Sequence, residues 1–235
     1  MRTGKRTADK EHRLTEQGGN KMAILEEIST FLQKGRSKNV KTLVTQALEE
    51  GIDPKTILNE GLIAGMSVIG GKFKRNEVFV PEVLVAARAM NAGLAILEPK
   101  LVEVGNEPIG RVVIGTVKGD LHDIGKNLTA MMLKGAGFEI IDMGVDVSAE
   151  AFLAKAEEVH ADIIGMSALL STTMPAMKEL LDLMEEKGVR SRYIVMIGGA
   201  PVTDEFAEEI GADYYTPDAA SAAETAKAAV ERKTA

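Results

Sequence analysis

The groups that could do chemistry together lie in one short stretch, "TVKGDLHDIGKN" at residues 116–127, between the apolar run "RVVIGTV" and the segment "LTAMMLKGAGF". Gly119, Gly125 and Lys126 come close to spelling a phosphate-binding loop. Such a loop needs four residues between its glycine and the Gly-Lys pair, followed by a hydroxyl for magnesium. Here five residues separate Gly119 from Gly125, and Asn127 stands where the hydroxyl belongs. Asp120 and Asp123 would also face the phosphate where backbone N–H groups should, and like charges repel. The glycine spacing of a dinucleotide-binding turn is absent at this position as well. His122 is then the group with chemistry to offer. Asp120, two residues away, can orient its imidazole and raise its basicity, a common arrangement behind a metal-bound His. One protein ligand holds a bare cation poorly, since protein metal sites typically use three or more. The segment points to a metal that brings its remaining ligands with it.

The elements that must position this loop follow from periodicity. Ile24, Ile28, Phe31 and Leu32 mark one amphipathic helix, and Val40, Leu43, Val44, Ala47 and Leu48 a second. "GIDPK" separates helices, with Gly51 as a stop, Asp53 as an N-cap and Pro54 at the first helical position. A third helix carries Leu58, Leu62, Met66 and Ile69. After a turn read as "GGKFKRNEVFVP", a fourth starts near Pro81 with Val83, Ala87, Met90, Leu94 and Leu97 on its buried face and stops near Pro99. From Arg111 onward, apolar β-branched runs alternate with helical ones: strands "RVVIGTV", "FEIIDMG", "DIIGMSA", "RYIVMIGG" and "ADYY", with helices beginning near Ile124, Ser148, Thr173, Thr203 and Ala219. Strands buried on both faces and joined by helical crossovers imply a parallel sheet covered by helices. Ligands of such open, doubly wound α/β folds sit at the carboxyl ends of the strands, where "KGDLHDIG", "SALLSTT" and "GGAP" fall. A receiver-type phosphoacceptor would need an Asp after the third strand, and "MSALLSTT" has none.

At 235 residues the chain can hold two compact domains. Its net charge of -7, with basic residues scattered, offers no footprint for nucleic acid or an anionic membrane. The absence of cysteine removes disulfides and thiolate sites and fits a reducing cytoplasm. No uninterrupted apolar run of membrane length is expected, so a soluble chain follows. Residues 1–21 read as a disordered leader without period, with Met22 as the functional start.

"DLHDIGKN", "SALLSTT" and "IGGA" together resemble the D-x-H-x-x-G, S-x-L and G-G signature of cobalamin-binding domains, in that signature's order along the strands. Upstream, "GMSVIGGKFKRNEVFVPEVLVAARAM" resembles the helical cap that precedes this domain in methionine synthase and in the corrinoid proteins of anaerobic methyltransferase systems. The resemblance covers nearly all of residues 22–231. It implies a four-helix bundle cap over residues 22–105, followed over 106–235 by a cobalamin-binding, flavodoxin-like doubly wound sheet of five parallel strands, Rossmann-like in build.

The resemblance further implies cobalamin or a related corrinoid bound base-off and His-on. His122 would displace the cofactor's own base and ligate cobalt from below. Asp120 and Thr173 would complete a relay that uses Ser in methionine synthase. Ser167, Leu169 and Ser171 would let the displaced nucleotide tail enter, with Gly125 admitting it at the first loop and Gly198 and Gly199 admitting its base. Phe73 and Val80 match positions that shield the upper corrin face. Taken singly, the glycines could be ordinary turns, the Ser and Thr residues caps of the following helix, and Phe73 and Val80 bundle core. Met166, Met174 and Met196 read as core filling, and His160 as a solvated helix end. The implied function is a methyl carrier. A cognate substrate:corrinoid methyltransferase would load Co(I), a second enzyme would pass the methyl of methyl-Co(III) to tetrahydrofolate or a thiol, and a reductive activating protein would rescue oxidised cobalt. Two rivals are the cobalamin subunit of an adenosylcobalamin mutase, which typically lacks the cap, and a cobalamin-sensing regulator, which adds a DNA-binding helix-turn-helix.

Overall fold

A computed structural model describes residues 21–104 and 107–234. The expected leader therefore lies outside the described residues except for Lys21, which opens the first helix. Two compact units emerge among these residues: one comprises 21–69 and 81–104, the other 70–80 and 107–234.

The first unit is helical. Helix α1 covers residues 21–33 and buries Ile24, Leu25, Ile28 and Leu32. α2 (Ser37–Glu49) buries Val40, Val44 and Ala47. α3 (Pro54–Thr56) begins under Asp53, whose carboxylate accepts the Thr56 N–H at 3.1 Å. It runs without a break into a π-helical stretch (Ile57–Ile63) and α4 (Ala64–Lys74). The wider π turn moves the stripe by one residue: Ile57, not Leu58, is fully buried in line with Leu62 and Met66. α4 continues through Gly70 and Gly71, so the turn to the next helix is shorter than the sequence suggests. α5 (Val80–Glu103) likewise passes through Pro99. Proline there forgoes a single amide bond in the last turns, which the helix tolerates near its end. By length and composition Val80–Leu101 is apolar enough to cross a bilayer, although Glu82, Arg88, Glu98 and Lys100 interrupt its apolar run. The fully buried Val83, Ala86, Ala89 and Leu97 mark it instead as a core helix of this unit.

The second unit contains β1 (Arg111–Thr116), α6 (Ile124–Gly135), β2 (Glu139–Asp142), α7 (Ala149–Glu158), β3 (Ile163–Ser167), α8 (Pro175–Glu186), β4 (Ile194–Gly198), α9 (Asp204–Ile210), β5 (Tyr214–Tyr215) and α10 (Ala219–Thr234). The strands are all parallel in the order β2-β1-β3-β4-β5, the flavodoxin-like doubly wound arrangement. One face is packed solid: Val113, Ile164, Val195 and Ile197 meet Phe152 and Leu153 of α7 and Met177, Leu180 and Met184 of α8. The opposite face, covered by α6 and α10, is not filled. That asymmetry makes the site.

Candidate corrinoid site

The loop between β1 and α6 is drawn back under the sheet's carboxyl edge by its own backbone. Thr116 Oγ1 donates to the His122 carbonyl at 2.9 Å, closing residues 116–122 into a tight arch. Asp120 sits inside that arch with no exposed surface, while the His122 side chain stays 51% exposed. One carboxylate oxygen, Oδ1, accepts the His122 amide at 3.0 Å and meets the ring's Nδ1 at 2.7 Å. The other, Oδ2, accepts from the second loop: the amides of Leu169 and Leu170 at 2.8 and 3.2 Å, and the Thr173 hydroxyl at 2.8 Å.

Burial alone would raise the pKa of Asp120, but the donors from His122, Leu169 and Thr173 outweigh it and hold the carboxyl well below the usual carboxylate range. An ionised carboxylate only accepts, so Nδ1 must be the donor of the imidazole and Nε2 is left as the nitrogen able to ligate a metal. Thr173 lies ahead of α8, whose N-cap is Met174. Its hydroxyl serves Asp120 rather than the helix's amides, so the capping alternative fails here.

Between the sheet and α6 and α10 lies a cavity of about 720 Å³, within the range of small-molecule and cofactor pockets. Of the residues that the resemblance assigns to the cofactor, Phe73, His122, Gly125, Ser167, Leu169, Gly198 and Gly199 line it, as do Met166 and Met196, which the sequence reads as core. Ser171 and Val80 do not: Ser171 is exposed within the second loop and Val80 is half-buried at the start of α5. The glycines differ in kind. A Cβ on Gly199 would stand 1.8 Å from the Ala168 carbonyl oxygen, and its φ is +135°, so nothing larger fits. Gly125 and Gly198 have room for a Cβ, and neither adopts a positive φ.

Residues 110–226 match the family model described as a B12 binding domain, and residues 24–98 match a second such model. A corrinoid protein of Desulfitobacterium hafniense is 45% identical over 208 residues, 87% of this chain and 96% of that protein. Dimethylamine corrinoid protein 2 of Methanosarcina acetivorans is 43% identical over 210 residues, 88% of this chain and 96% of that protein. Among solved structures, a chain of the methanol:cobalamin methyltransferase complex from Methanosarcina barkeri superposes with a TM-score of 0.81 at 29% identity, covering 89% of this chain and 80% of that one. The chain belongs to the corrinoid proteins of methyltransferase systems.

The residues of this corrinoid protein fit such a cofactor on three counts. Among the described residues no cluster of three or more His, Asp or Glu could hold a bare metal ion, so the donor set suits a cobalt already ringed by a macrocycle. Beside His122 the apolar side chains of Leu121 and Ile124 are 71% and 77% exposed, and Leu169 and Leu170 add to this apolar surface. A flat, largely apolar ring is the kind of group they would cover. Behind them the cavity of about 720 Å³ offers further room for part of such a cofactor. Gly165 of β3, Tyr215 at the end of β5, and Thr216 and Pro217 after it also line the cavity, and sequence reasoning passed them over. Gly165 did leave a signal, as a glycine inside an otherwise β-branched strand marks close approach of a ligand or backbone. The residues after β5 left none.

Proposed function

We propose that this chain is a methyl-carrying subunit, loaded by a substrate:corrinoid methyltransferase and discharged by a second enzyme to tetrahydrofolate or a thiol acceptor, with a reductive activating protein as a further partner. The observation that carries the reading is the chain of contacts from His122 through Asp120 to Thr173, set beside a cavity that this reading gives to the displaced nucleotide tail. When bound, the corrinoid supplies a cobalt centre that can take up and release a methyl group. His122 would offer Nε2 to that cobalt from below, with the cofactor base-off. Asp120, fixed by donors from two loops, holds the ring in one tautomer and orientation. Thr173 keeps the second of these loops tied to the first. Phe73 contributes one apolar wall, and Ser167, Gly198 and Gly199 keep the tail's passage narrow but open.

The test is the Co(II) electron paramagnetic resonance spectrum of protein loaded with cobalamin whose lower base carries nitrogen-15, compared with His122→Ala. A three-line nitrogen splitting, lost in the variant, is expected. A two-line pattern in both proteins would mean that the cofactor keeps its own base and would overturn the ligand assignment. A preference for adenosyl over methyl corrinoid would overturn the carrier reading.

A further inference from the structure

The stretch made of the last residue of the edge strand β2 and the residues after it has no part in the ligand, its acceptor network or the cavity lining. It runs from Asp142 to Val147 and includes Asp146 at a φ of 57°, a left-handed conformation that non-glycine residues adopt at a cost. The contacts that hold it there run to the His122 loop. Asp146 Oδ1 accepts the Gly119 amide at 2.7 Å, and the Asp146 amide donates to the Asp120 carbonyl at 3.1 Å. Val147 N–H donates to the Thr116 carbonyl and Thr116 N–H to the Gly144 carbonyl, each at 3.0 Å. Beyond His122, the buried Lys126 sets its ammonium on both carboxylate oxygens of Asp142. Asp142 Oδ1 in turn accepts the Gly144 amide at 2.9 Å. One segment thus grips the loop on both sides of His122.

We propose that Asp142 and Asp146 are positioning residues for His122: they hold the β1–α6 loop at Gly119 and the first turn of α6 at Lys126, on either side of His122, and so fix where the imidazole stands. The inference rests on His122 as the cobalt ligand, but the clamp itself exists without cofactor and can be read without it. Both aspartates are exposed and neither lines the cavity, so they act through the loop.

Three variants separate this role from a general structural one. Asp146→Asn keeps an acceptor and tolerates the left-handed backbone; Asp146→Gly frees the backbone and removes the acceptor; Asp142→Asn leaves Lys126 without its counter-charge. Amide hydrogen exchange in the corrinoid-free chain, and the nitrogen splitting in the cobalamin-loaded one, are the readouts. In Asp146→Gly, the Gly119 amide should exchange about tenfold faster and the three-line splitting should weaken, with the thermal midpoint nearly unchanged. Asp146→Asn should restore both readouts. Asp142→Asn should speed exchange at the first amides of α6. Exchange of Gly119 within about twofold of the unaltered chain in Asp146→Gly overturns the clamp. If the unaltered chain itself lacks the three-line splitting, the ligand assignment falls, and the exchange rates alone decide the clamp by the same criterion.

Discussion

Asp120 gathers hydrogen bonds from two separate loops onto one buried carboxylate, which makes it both an orienting group for His122 and a structural pin. Because its folded pKa is depressed, its contribution to stability is fully present above the unfolded value of about 4 and is lost as pH falls through the folded one. Asp120→Asn should therefore cost about 2–3 kcal/mol between pH 6 and 8, and the gap from the unaltered protein should narrow only below about pH 4. Urea unfolding at a series of pH values measures it. A gap that instead changes between pH 6 and 8 would assign the effect to another group. The identity of this residue was legible in its spacing from His122. The source of its donors was not: two of them are main-chain amides of Leu169 and Leu170, and a main-chain donor leaves no mark in a side-chain pattern. Ser171 and Val80, singled out by resemblance alone, are not among the residues lining the cavity.

At the scale of elements, the strands and their parallel pairing follow from apolar β-branched runs separated by crossovers, and these survive translation into structure with boundaries shifted by a residue or two. The helices of the first unit departed more, and for a local reason. A periodicity of 3.6 cannot anticipate a π-helical turn, so Leu58 was assigned the core position that Ile57 fills. The sheet's open face depends on what β3 lacks. A Cβ at Gly165 would already stand 3.3 Å from Ile114 Cγ1, and a larger group would occupy the cavity floor. Gly165→Val suits a strand and leaves the packed face untouched, so the chain should still fold cooperatively. Its corrinoid affinity should fall by about tenfold or more, as measured by retention after gel filtration and by titration of the absorption spectrum. Unchanged affinity would move the tail's passage away from β3.

For the whole molecule, the sheet core drawn from Val113 to Ile210 is complete within the second unit. A fragment starting at residue 107 should thus melt in a single cooperative transition. It lacks Phe73, a wall of the cavity, and Lys74, whose ammonium meets Glu224 at 2.8 Å. It should release bound corrinoid faster than a fragment beginning at residue 70, which calorimetry and dialysis would compare. Equal release rates would remove Phe73 from the binding surface.

The stretch from Gly70 to Val80 lies within the sequence of the helical half but clusters with the sheet half. Recombination at one breakpoint near residue 106 would consequently set the 70–80 piece of one parent's cofactor wall against the sheet of the other. The two halves are not interchangeable cassettes. Chimeras that exchange the sheet unit between corrinoid proteins will need three junctions, placed near residues 70, 80 and 107.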